Sequence, residues 1–245
     1  MKYFEDKVEL ASFLTLTLAV VVGEFSSLVA FFSLLVASLA LISTRRRDVA
    51  VVFLTSIPIG LAYEELGVHT GIPFGRYTYH FPPYVLGVPI FVILAWGVFS
   101  AVSYLAVMDF PLKYKLALFP LLMVAIDVPL DPMMVHYGLW TWAPSWPEWY
   151  GVPLTNYLGW YVVSLTVALA FPLFRSRPTR TVNPVFVIPY TLMVVLNALP
   201  HVVPALVVPF AVGAGLVVAL GAAVCLLARR LNSQERQPTS VAGPH

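Results

Sequence analysis

Residues 48–80 read DVAVVFLTSIPIGLAYEELGVHTGIPFGRYTYH and join an apolar run to a polar segment. The run at 48–66 approaches the roughly 20 apolar residues that a helix needs to cross the hydrocarbon core of a bilayer. Residues 63–80 then hold two adjacent glutamates, two histidines, an arginine, three tyrosines and three glycines. The stretch therefore predicts a membrane-spanning helix that ends in a structured polar loop.

The rest of the chain shares the apolar character of this run. Of its 245 residues, 60% are hydrophobic and 11% are charged, with a mean hydropathy of +0.86. These values lie outside the range of ordinary soluble domains. Prolines inside several apolar runs predict kinked helices. We predict an all-α, polytopic transmembrane helical bundle with about eight spans, at residues 9–23, 25–43, 48–66, 85–108, 116–135, 154–174, 183–199 and 204–228.

The basic residues predict the orientation of this bundle. With eight spans, every Lys and Arg except Arg76 falls at one membrane side, and short loops rich in Lys and Arg favour the cytoplasm. We therefore expect a multi-pass protein of the cell membrane with both termini cytoplasmic and the loops at 67–84 and 136–153 outside. A seven-span alternative, with one span and a re-entrant piece in residues 9–43, would move Lys2 and Lys7 outside.

Domain organisation and partners follow from the same pattern. Residues 1–231 are predicted to form a single integral membrane domain, and residues 232–245 a disordered cytoplasmic tail. No internal repeat is evident. Orientation accounts for the basic clusters, so membrane lipid is an expected partner and nucleic acid is not.

Four acidic residues are predicted within or at the end of apolar spans, where a carboxylate is costly and usually marks a polar site. Glu64 and Glu65 close the third span, and Asp127 and Asp131 share one face of the fifth. Two nearby carboxyls in a low dielectric cannot both ionise cheaply, so one is expected to hold a proton. Alternatively, either aspartate caps a helix broken at Pro129 and Pro132 or bonds a neighbouring helix. The acids expected to be solvated are Glu5, Asp6, Glu9, Asp48, Asp109, Glu148 and Glu235.

A second unusual segment, residues 136–160, reads HYGLWTWAPSWPEWYGVPLTNYLGW. Its tryptophans are interleaved with glycines and prolines, a pattern that favours a folded cap able to shield a site. An interfacial aromatic belt is the alternative. The histidines of the two outer loops lack a compact ligand spacing, so we predict no metal site. No phosphate-binding glycine loop is present, and no cofactor is predicted.

Four motifs carry a resemblance to a known family. They are the pattern E-x-x-G-V-x-T-G-x-P-F-G-x-Y-x-Y from Glu64 to Tyr79, LGVPIFVILAW at 86–96, DVPLDPMMVHYGLWTW at 127–142 and YGVPLTNYLGW at 150–160. Together they resemble the CruF-type carotenoid hydratase family. The resemblance covers residues 64–160 and is only hydropathic elsewhere.

This resemblance implies an enzyme that adds water to the terminal carbon–carbon double bond of an acyclic carotenoid and leaves a tertiary alcohol. It also implies contact with other carotenoid-biosynthesis enzymes. The alternatives are a carotenoid or isoprenoid cyclase or isomerase, which would use similar acids but exclude water, and a lipid or isoprenoid transporter. Product mass separates them, because only hydration adds a water.

The candidate catalytic residues follow from the chemistry of alkene hydration. Asp131 or Asp127 is the proposed proton donor, and the second aspartate or Glu64 would orient the attacking water. Aromatic faces stabilise a cation by roughly 0.5–2 kcal/mol each. Arg76 either pairs with these acids or anchors lipid headgroups. The predicted substrate-binding residues are Tyr77, Tyr79, Arg76, Trp96, Trp140, Trp142, Asn156 and Trp160, with Asn156 holding the water.

Overall fold

The computed structural model describes residue 4 and residues 7–23, 27–173, 182–198 and 203–235. Within these residues the chain forms eight helices. Five of them, α3, α4, α5, α6 and α8, are long and apolar enough to cross a membrane. The helical class of the bundle is therefore confirmed, whereas eight full spans remain a prediction. The helices are α1 Lys7–Gly23, α2 Leu28–Ser43, α3 Arg47–Thr70, α4 Ile90–Val107, α5 Leu112–His136, α6 Leu154–Leu169, α7 Val187–Ala198 and α8 Val207–Glu235.

Two ends of these helices differ from the predicted ones. Helix α3 continues past residue 66 to Thr70, where Gly71 adopts a left-handed φ of 81° and donates its N–H to the carbonyl of Gly67 at 2.7 Å. This is a common way to end a helix, because glycine takes that conformation without steric cost. Helix α8 continues to Glu235, past the predicted start of the tail at 232. Residues 236–245 lie outside the described residues, as do Lys2, Glu5 and Asp6.

One end of the bundle contains short β-strands, which the all-α prediction missed. They form three two-stranded antiparallel sheets, β1 with β4, β2 with β3 and β5 with β6. The sequences YTY and WTW have the aromatic and β-branched residues that favour strands. We call this end of the bundle the strand end. The opposite end, where Arg45, Arg46, Arg47 and Lys113 lie, is called the basic end. The strands are β1 Tyr77–Tyr79, β2 Tyr84–Val85, β3 Val88–Pro89, β4 Trp140–Trp142, β5 Glu148–Trp149 and β6 Val152–Pro153.

The chain contains an internal repeat, which corrects the prediction that it has none. The order helix, strand, hairpin, helix occurs in residues 47–107, the first repeat, and again in residues 112–169, the second repeat. Both hairpins turn on two residues with positive φ, Leu86–Gly87 (53° and 80°) and Tyr150–Gly151 (51° and 79°). Such pairs fit two-residue turns whose twist matches the flanking strands. The repeat was hard to recognise because its turns and strands recur while most side chains differ.

Strand pairing relates the two repeats by an approximate two-fold axis. In the β1–β4 ladder Thr78 lies opposite Thr141, and the register of the neighbouring residues is symmetric about that pair. Deeper in the bundle, Trp96 and Trp160 each lie seven residues after the proline that precedes their helix, and their rings are 4.5 Å apart. Helices α3 to α6 thus surround a shared centre, with an acid-bearing helix from each repeat.

Buried charges lie at the basic end, where the sequence analysis expected solvated acids. Arg46 contacts Glu9 at 3.1 Å and Asp109 at 3.2 Å, and the side chains of the two acids are only 7% and 3% exposed. Tyr104 donates to half-buried Asp48 at 2.7 Å. Burial raises the pKa of Asp109, while the charge of Arg46 acts in the opposite direction. The expectation was wrong for Glu9 and Asp109, because the ends of several helices converge on Arg46 and exclude water.

Candidate active site

A cavity of about 50 Å³ lies between the two repeats, below the β1–β4 ladder. It brings together most of the residues that the sequence analysis selected. Two of the selected residues, Asp127 and Arg76, do not line it. The selected residues that line the cavity are Glu64, Tyr77, Tyr79, Trp96, Asp131, Trp140, Trp142, Asn156 and Trp160.

Glu64, on the first-repeat side of the cavity, is surrounded by hydrogen-bond donors. Its Oε2 accepts from the hydroxyl of Tyr77 at 2.6 Å and of Tyr79 at 2.8 Å, and its Oε1 accepts from Nε1 of Trp96 at 2.9 Å. Only 5% of Glu64 is exposed. Three donors to a buried carboxylate favour its ionised form. They also leave Oε1 able to accept one more hydrogen bond.

Two glycines of α3 allow these donors to approach. A Cβ at Gly60 would lie 2.4 Å from Cγ of Trp96, and a Cβ at Gly67 would lie 2.6 Å from the hydroxyl oxygen of Tyr77. Any larger residue at either position would displace a donor of Glu64. Burial, and next the charge of Glu64, raise the pKa of Tyr77, so its hydroxyl stays protonated and can donate.

The second-repeat side holds two aspartates that share one amide donor. Nδ2 of Asn156 donates to Oδ2 of Asp127 at 2.8 Å and to Oδ2 of Asp131 at 2.5 Å. All three side chains are at most 3% exposed, and the two carboxyls lie within hydrogen-bonding reach of each other. The second oxygen of Asp127, Oδ1, meets no donor among the described residues. Two adjacent buried carboxyls cannot both ionise cheaply, so the prediction that this pair holds one proton stays in place for this geometry.

Aromatic rings close the cavity on the strand end. Tyr77 packs on Trp142 with ring centroids 5.7 Å apart, and Tyr79 packs on Trp140 at 5.5 Å. These two pairs are related by the approximate two-fold axis. The indole N–H of Trp140 lies beside Asp131 without reaching hydrogen-bond geometry. The cavity therefore combines carboxyl groups with several π faces, which suits a reaction that forms a cation.

Arg76 lies elsewhere, which disfavours pairing with the acids, one of its two predicted roles, and leaves contact with lipid headgroups as a prediction. It is exposed and lines a separate, open recess of about 400 Å³ together with His69 and Thr141. The recess lies at the strand end, because Arg76 directly precedes the first residue of β1. Among the described residues no group of three His, Cys, Asp or Glu side chains is arranged to hold a metal ion.

The sequence analysis missed several residues of the site. Phe74, Val92, Ala95, Phe99 and Leu130 also line the cavity. Val92, Ala95 and Phe99 share a face of α4 with Trp96. Because nearly all residues of this span are apolar, the sequence did not show which face of the helix lines a site. A further group is the hydroxyl of Tyr157 on α6, which is buried without a partner among the described residues and lies near both aspartates.

Fold and site together define a helical membrane protein with an acidic, aromatic-lined cavity between two repeats. Comparison with known proteins then gives the family. The family model described as "Carotenoid biosynthesis protein" matches residues 25–228, so the chain belongs to this family. The predicted family relationship is thereby confirmed.

A curated relative is bisanhydrobacterioruberin hydratase of Haloarcula japonica. It is 30% identical over 155 residues, which cover 56% of this chain and 48% of the relative. The chain thus matches about half the length of that protein. No solved structure matches the chain.

Proposed function

We propose that this protein is a carotenoid hydratase, which adds water to the terminal double bond of an acyclic carotenoid and forms a tertiary alcohol. The observation that carries this proposal is a single cavity with an aspartate pair on one side, a donor-rich glutamate on the other and aromatic rings between them. The family and the hydratase name of the relative support the same activity.

The aspartate pair would supply the proton. Asp131 reaches the cavity and Asp127 lies behind it, so Asp131 is the proposed general acid and Asp127 its partner in sharing the proton. Transfer of this proton to the less substituted carbon of the double bond leaves a tertiary cation on the carbon that bears two methyl groups. Asn156 would hold the two carboxyls in place, because its one nitrogen donates to both.

Glu64 would complete the reaction on the opposite side. A water that donates to the free acceptor site of Oε1 is oriented towards the cavity. Its oxygen bonds to the cation, and its released proton passes to Glu64 and then returns to the aspartate pair. The sum is one alkene and one water converted to one alcohol, with no electron transferred. The rings of Trp140 and Trp142 would stabilise the cation before water attacks.

Membrane orientation belongs to the same proposal. Arg45, Arg46, Arg47 and Lys113 lie at the basic end, which we place on the cytoplasmic side. The strand end then faces outward. A Trp146→Cys variant on a Cys225→Ala background tests this, since residue 146 is 91% exposed. If an impermeant reagent labels residue 146 only after the cytoplasmic face is opened, the orientation is the reverse of the proposed one.

Product analysis tests the activity. The protein is expressed in a host that makes an acyclic carotenoid, and pigments are compared by mass with those of a host lacking it. Hydration predicts a product heavier by one water for each end that reacts. A cyclised or isomerised product of unchanged mass would show that the activity is that of a cyclase or isomerase. Unaltered pigment would contradict all of these activities.

A further inference from the structure

A second, wholly apolar crevice adjoins the acid cavity. It measures about 20 Å³ and lies between α4, α5 and α7. Phe99 and Leu130 line both spaces, so these two side chains alone form the shared wall. The remaining walls include Ile126, Met133 and Met193. The crevice has no polar lining residue among the described ones, in contrast to the cavity beside it.

We propose that this crevice holds the polyene chain of the substrate while the reacting end lies in the acid cavity. The inference rests on the proposed function and adds to it the binding site of the rest of the molecule. One water needs roughly 10–15 Å³ of such space, so a cavity of about 50 Å³ has room for a branched end group and little more. The long hydrocarbon must therefore leave the cavity through one of its walls.

The shared wall is the apolar exit that lies next to the proposed acid. Much of the rest of the cavity is bounded by Glu64 with its donors, by Asp131 and by the aromatic rings under the strands, while Val92 and Ala95 of α4 form a second apolar wall. A hydrocarbon that passed the carboxyls or their donors would displace hydrogen bonds of buried groups, which is costly. Past Phe99 and Leu130 it meets only apolar surface, which it buries favourably. Leu130 directly precedes Asp131, so a chain in the crevice delivers its end to the proposed acid.

The crevice combines a fixed helix backbone with adaptable side chains. A Cβ at Gly213 of α8 would lie 2.5 Å from Cδ of Pro129, so α8 packs tightly behind the α5 side. Met133 and Met193 are unbranched and have several rotatable bonds, which lets them adjust to the shape of a ligand. At about 20 Å³ the crevice is smaller than the acid cavity, so it holds a polyene only after Met133 and Met193 rotate aside, a change that leaves α5 packed against α8.

The test fills the crevice and measures bound carotenoid. Ile126→Trp and Met133→Trp introduce bulk into it, because both residues line the crevice and not the acid cavity. Leu121→Trp is the matched control, because residue 121 lies on the same helix and is 42% exposed. The protein is purified from a carotenoid-producing host, and the absorbance of bound pigment is divided by the amount of protein. Overpacking costs of this kind predict about a tenfold loss of bound carotenoid in both crevice variants and none in the control.

Two further measurements keep the result decisive. Met133→Gln has nearly the parent volume but is polar, so it should also lower bound carotenoid if the tryptophan variants fail to give monodisperse protein. Crevice variants that bind and hydrate as the parent does would overturn the proposed polyene site. A parent protein that binds pigment but forms no hydrated product would contradict the proposed hydratase activity. The comparison of bound pigment between variants would still test whether the crevice binds the polyene.

Discussion

The two repeats have the same backbone plan but place their acids in opposite surroundings. In the first repeat, Glu64 accepts hydrogen bonds from three side chains. In the second, Asp127 and Asp131 have a single amide nitrogen between them. A carboxylate with several donors is stabilised as an anion, whereas two adjacent carboxyls with one donor are stabilised by retaining a proton. The shared backbone plan thus provides a two-sided frame, with one carboxyl among several donors on one side and two carboxyls around one donor on the other.

The largest expected effect comes from removing the acid. Asp131→Asn should keep the fold, since the amide is nearly the same size, but it cannot protonate an alkene. Loss of a general acid typically lowers the rate by about a hundredfold to ten-thousandfold. Conversion of carotenoid to its hydrated form, at matched protein levels, measures this.

Asp127→Asn serves as the comparison for that variant. It should lower the rate less than Asp131→Asn, because Asp127 does not line the cavity. Conversion equal to that of the parent in both variants would contradict the proposal that the carboxyls of the second repeat take part in catalysis.

Next in size is the effect of Glu64→Gln on the opposite side. The glutamine oxygen can still accept from Trp96, so the protein should remain folded, but the side chain cannot accept the proton of the attacking water. We expect the rate to fall by roughly a hundredfold, near the lower end of such effects. If Glu64→Gln instead exceeds Asp131→Asn in its effect, the assignments of acid and base must be exchanged.

A smaller difference should separate Tyr77→Phe from Trp140→Phe, which alter equivalent positions of the two repeats. Tyr77 donates to Glu64, and the loss of a hydrogen bond to a charged group costs about 1.5–3 kcal/mol, or roughly tenfold or more in rate. Trp140 donates to no described residue and keeps an aromatic face as Phe, so its variant should retain most of its rate.

The pH dependence checks the role of Tyr77 as a donor. Its raised pKa keeps the hydroxyl protonated from neutral to mildly alkaline solution. The ratio of parent rate to Tyr77→Phe rate should therefore stay constant over that range. A ratio that falls towards alkaline pH would mean that Tyr77 loses its proton there.

The smallest effect is expected from Arg76→Gln. Arg76 is exposed and lies outside the cavity, and such substitutions rarely change free energies by more than roughly 0.5 kcal/mol. The hydration rate should change by less than about threefold. A larger loss of rate would indicate that Arg76 and the recess it lines contribute to the reaction.

Particular residues show how far the sequence alone could reach. Glu64 and Asp131 stood out because a carboxyl near an apolar span needs a reason to be there, and the structure places both at one cavity. Arg76 stood out as the basic residue predicted on the outer side, and it is exposed outside the cavity. Glu9 and Asp109 seemed ordinary at helix ends, yet they are buried with Arg46.

Apolar length and costly buried charges are local properties of the chain, so the helical membrane class, the family motifs and the acidic and aromatic residues of the cavity could be predicted from the sequence. Which of these groups meet depends on tertiary packing. Pairing of β1 with β4 joins residues more than sixty positions apart in sequence, and only that pairing reveals the two-fold relation of the repeats. Whether a carboxyl keeps or yields its proton depends on donors from other helices, and no local pattern specifies those contacts.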